Sequence, residues 1–61
     1  MKDPKTLEDW RDVIRQNAPL VDRTPYAHNI VGIALSAIDK LAGEAEAEKT
    51  IKEFGLDKKG W

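Results

Sequence analysis

Apolar positions along the chain fall into three runs of helical period, separated by breaks. In the first run Leu7, Trp10, Val13 and Ile14 recur three and four residues apart, with Ala18 at its end. Such spacing makes one apolar stripe on a helix. Thr6 stands before the run as an N-cap, and Asp9, three residues on, makes a weak capping box. Glu8 and Asp9 also suit the positive end of the helix dipole. Pro19 disfavours helical geometry at Ala18, so the helix stops near Asn17. The expected span is about 6–17. Residues 20–23 then form a connection, with Leu20 and Val21 tucked against the core.

Thr24-Pro25 is the clearest local signal. Threonine caps, and proline at the first helical position lacks only an N–H that would be unpaired anyway. The second helix is expected over 25–42. Gly43 ends it, and Lys40 in the last turn complements the dipole. A third helix is expected over 44–54, with Glu44, Glu46 and Glu48 at its start and Lys49 and Lys52 later. Ala47, Ile51 and Phe54 form its buried stripe, with Ala45 and Thr50 at the margin. Gly55-Leu56 reads as a Schellman ending, Leu56 packing back on Ile51. Glycine inside a helix costs only about 1 kcal/mol, so the second and third helices could fuse into one rod. The break at Gly43 is preferred because it lets the two stripes meet as an antiparallel hairpin.

The second helix is unusually apolar. On a helical wheel its apolar residues, from Ile33 and Tyr26 round to Ala42 and Leu35, fill an arc of roughly 200°, about twice the minimum stripe of a surface helix. This helix is therefore central. Either the first and third helices cover it, or a second subunit completes the cover. The remaining arc carries Asn29, Ser36, Gly32, Asp39, His28 and Lys40. Gly32 and Ser36 lie one turn apart. Gly32 is read first as a tolerated solvent-facing glycine, and alternatively as a helix-crossing point, in the monomer or across a two-fold axis, by analogy with small-residue motifs in membranes.

Composition narrows this picture. With 61 residues the chain is one domain, and a domain of that size buries only about 60% of the surface its unfolded chain exposes. Cysteine is absent, which removes disulfides and thiolate metal sites. Regular packing or self-association remains as the supplement to a small core. The formal net charge is −1, and the charges are mixed rather than blocked. No apolar run approaches the roughly 20 residues that span a bilayer. Residues 1–4 carry no apolar leader core. Cytoplasmic residence is the default expectation.

No reaction site can be named. His28 is the sole histidine and lacks an acid at catalytic spacing, Asp39 lying three turns away. Glu44, Glu46 and Glu48 splay round their helix rather than converging on a metal. No metal, cofactor or catalytic residue is therefore assigned, and the chain is read as non-enzymatic. The primary expectation is a small helical protein-interaction module that self-associates, most simply as a homodimer. Its candidate partner surface is Tyr26, Asn29, Gly32, Ile33, Ser36 and Trp61. Trp10 is read as a core anchor, and Trp61 as a packed apolar handle on a charged tail. The alternative is a nucleic-acid-binding regulator of helix-turn-helix type, with phosphate contacts from Lys49, Lys52, Lys58 and Lys59. Its recognition helix would lead with three glutamates, which phosphates repel.

Overall fold

Side-chain caps set the first two helices. The Asp9 N–H donates to Thr6 Oγ1 at 3.1 Å, and the Thr6 N–H donates to the Asp9 carboxylate at 3.3 Å, closing the capping box. Helix α1 then spans Leu7–Asn17. The chain tightens into a 3-10 turn over Ala18–Leu20, where Pro19 stands. Thr24 Oγ1 accepts the Ala27 N–H at 3.0 Å and starts α2, which spans Pro25–Ala42 with proline in its first turn. Gly43 follows at φ +97°, a conformation that side-chain-bearing residues avoid. That one residue breaks the helix, and α3 spans Glu44–Glu53. These are the three helices of the sequence reading, in a computed structural model that describes residues 3–61. The reading of residues 1–4 as lacking a leader core falls partly outside the described residues.

The fold is all-α, and α2 is its centre. The buried apolar cluster takes Ile14 from α1 and Val21 from the connection. It takes Ala27, Val31, Ala34, Leu35 and Ile38 from α2, Ala47 from α3, and Leu56 from the segment after it. More than half of it therefore comes from α2. The Cα envelope measures 28 × 28 × 14 Å. Its thin dimension accommodates two helix layers at the usual spacing of about 8–10 Å. Two layers cannot wrap α2 on every side, and part of its broad apolar arc stays bare.

Arg11 ties α1 to α3. Its guanidinium donates to Thr50 Oγ1 at 3.4 Å, pairs with Glu53 and lies 3.8 Å from Glu46. It also stands over the Phe54 ring, 5.7 Å from the centroid. Thr50, expected at the margin of α3, is instead fully buried. Its hydroxyl donates to the Glu46 carbonyl at 2.9 Å and accepts from Arg11, so burial leaves neither role unmet.

Leu20 is a second correction. Val21 is buried as expected, but Leu20 is 41% exposed. Neighbours in a 3-10 turn point roughly 120° apart, so both cannot face the core. The Leu20 carbonyl instead anchors the turn into α2, accepting from Arg23 and Thr24 at 2.9 and 3.0 Å.

The chain beyond α3 is packed. Gly55 takes the left-handed conformation, and its N–H donates to the Lys52 carbonyl at 3.2 Å, the inner bond of a Schellman ending. A 3-10 turn over Leu56–Lys59 buries Leu56 completely. The Trp61 N–H returns to the Leu56 carbonyl at 3.1 Å, which lays the indole against the core. No helix among the described residues is long and apolar enough to cross a membrane.

Candidate interaction surface

Three stretches of α2 surface have different covers. The flank carrying Ala27, Val31, Ala34, Leu35 and Ile38 is buried. The polar flank of His28, Gly32 and Ser36 runs beside Trp61. The third flank, with Tyr26, Ile30, Ile33, Ala37 and Leu41, is the remainder of the apolar arc. Tyr26 is 71% exposed, Ile33 49% and Leu41 54%.

The bare flank continues across α1. Trp10 and Val13 of α1, Leu20 of the connection, and Tyr26, Ile30 and Ile33 of α2 line one groove of about 480 Å³. Pro4, Gln16 and Asn17 complete it, so no charged side chain lines it. Charged residues make up 34% of the chain, so an uncharged lining of nine residues is a local departure from the rest of the molecule. Trp10 is thus only partly a core anchor. It packs against the buried cluster while also forming groove wall.

The six residues expected to form one surface divide between two adjacent depressions. Tyr26 and Ile33 belong to the groove. Asn29, Gly32, Ile33, Ser36 and Trp61 belong, with His28, to a shallower depression of about 320 Å³. Ile33 is the ridge between them. A Cβ placed on Gly32 would meet nothing within 4 Å, so no segment of this chain crosses there. The Trp61 indole forms the far wall by stacking on the His28 ring, centroids 4.1 Å apart. His28 is thereby committed to an aromatic contact at the surface.

No family model, curated protein or solved structure matches the chain.

The lysines named for nucleic-acid contact do not behave as a set. Lys59 is paired with Asp22, which straps the tail to the connection before α2. Lys49 and Lys52 are exposed on α3, and Lys58 is exposed in the turn after it. Glu44 and Glu48 are exposed, whereas Glu46 leans to Arg11. Among the described residues no group of three or more His, Asp or Glu could hold a metal ion.

Of the nine groove residues only Tyr26 and Ile33 were expected at a partner surface, and Pro4, Trp10, Val13, Gln16, Asn17, Leu20 and Ile30 were missed. The sequence reading placed Leu20 inside, and it read Val13 as core stripe alone. The available signal was the width of the α2 arc, which exceeded what two short neighbours could cover.

Proposed function

We propose that this chain is a non-enzymatic protein-interaction module that self-associates as a homodimer through the groove between α1 and α2. The observation that supports this most is the uncharged apolar lining from Trp10 to Ile33. A groove without charge can meet its own copy across a two-fold axis with no like-charge penalty. The small net charge also keeps long-range repulsion between copies low. Covering Tyr26 and Ile33 would add burial to a core that holds three alanines among its nine apolar members.

Sedimentation equilibrium from micromolar to millimolar chain tests the reading. A reversible dimer is expected, little affected by salt, because apolar contact rather than ion pairing drives it. Tyr26→Glu with Ile33→Glu, kept native throughout, should lose this rapidly reversible dimer and stay folded, since both side chains are substantially exposed. A wild-type chain that stays monomeric throughout would remove the dimer. A salt-dependent shift of mixed nucleic acid, lost on neutralising Lys49 and Lys52, would replace it with the alternative reading.

A further inference from the structure

Among the described residues, the junction between α2 and α3 differs from the starts of the other two α-helices. Thr6 caps α1 and Thr24 caps α2, each through its hydroxyl. No side chain caps α3. One residue, Gly43, separates the two helices.

Helical bonding already runs into Gly43 from both sides. The Gly43 N–H donates to the Asp39 carbonyl at 2.8 Å, and the Gly43 carbonyl accepts from Ala47 at 3.2 Å. Both are four-residue helical bonds. A single change at Gly43, from φ +97° and ψ 166° to ordinary helical angles, would make α2 and α3 continuous. The N–H groups of Glu44, Ala45 and Glu46 would then meet the carbonyls of Lys40, Leu41 and Ala42. Leu41, Ala42 and Ala45 are all exposed beside the hinge, and a crossing of two such helices would cover them.

We propose that residues 44–61 form an exchangeable arm, which α2 and α3 deliver to a second copy by fusing through Gly43. Every tie that holds the arm in place can be remade with that copy. Arg11 of one chain takes Thr50 and Glu53 of the other, His28 takes Trp61, and Asp22 takes Lys59. The exchange therefore sacrifices none of these contacts and adds the helical bonds at the hinge. This dimer does not depend on the groove, and it is slow because the arm must leave one core before entering the next.

The test uses the full chain carrying Tyr26→Glu and Ile33→Glu, which removes any groove dimer. Refolding at millimolar concentration should yield a dimer that dissociates slowly on dilution. Gly43→Ala should raise its association constant by at least roughly 30-fold, from the helix preference of alanine over glycine at two hinges. Glu44→Pro should abolish it. Proline suits the first turn of α3 but would block a continuous helix at the Lys40 carbonyl. Mixed isotope-labelled and unlabelled chains should show Arg11–Phe54 contacts between copies. A folded Gly43→Ala chain that dimerises no more than its parent overturns the proposal, as does a dimer without those contacts between copies. If Gly43→Ala does not fold, the concentrated parent decides: no dimer, or one that Glu44→Pro leaves intact, overturns it.

Discussion

The Trp61 indole stacks on the His28 imidazole, their planes 24° from parallel. This contact joins the end of the described chain to the second turn of α2, across 33 residues of sequence. Trp61→Ala should lower stability by about 1–2 kcal/mol, combining the ring pair with lost burial. His28→Ala should cost less, because His28 is exposed apart from the stack. A double-mutant cycle in urea should return a coupling of about 0.5–1.5 kcal/mol. Additive single losses would show that the rings are adjacent without interacting.

Arg11 serves several partners on α3 from one position. Arg11→Ala should destabilise by about 1–2 kcal/mol, more than an ordinary surface ion pair, because the guanidinium is mostly covered and also bonds Thr50. Arg11→Lys should recover little, since an ammonium cannot reproduce the planar fork over Phe54. Thermal melts of both variants at low and high salt would check this. Full rescue by lysine would mean that charge alone matters.

Leu56 lies outside the three helices yet is completely buried. Leu56→Ala should cost about 2–5 kcal/mol. A core of this size supplies only about 3–5 kcal/mol in total. Circular dichroism at 25 °C should therefore find a substantial unfolded fraction in the variant. A Leu56→Ala chain melting within a few degrees of wild type would show that the last turn is dispensable.

Gly32 offers the reverse case. It sits inside α2 with open space where a Cβ would go. Gly32→Ala should stabilise the monomer by about 0.5–1 kcal/mol, raising the melting temperature by roughly 2–8 °C. Association through the groove should be unchanged, because Gly32 lines the other depression. A loss of association would relocate the contact to the small-residue face.

Helix limits were legible because their causes are local. Thr6, Thr24-Pro25 and Gly43 act on the residues beside them, so α1, α2 and α3 could be placed from neighbours alone. Packing was less legible. Thr50 looks marginal on a wheel because its burial depends on Arg11, 39 residues away. Leu20 and Val21 look equivalent in sequence, and only the turn geometry decides which one faces inward. The surface was half legible. The excess width of the α2 arc signalled an uncovered flank, and Tyr26 and Ile33 lie on it. The meeting of that flank with Trp10 depends on how α1 crosses α2, which no local pattern states.

The uncapped start of α3 also orders events in time. A helix whose first amides lack side-chain acceptors gains less from forming alone. The α1–α2 pair, capped at both starts, can assemble before the arm docks. Native-state hydrogen exchange should then show α3 amides opening at lower free energy than those of Val31, Ala34 and Leu35. On this view the missing cap makes α3 the late-folding and early-opening unit, and protection rising evenly through α2 and α3 would contradict that order.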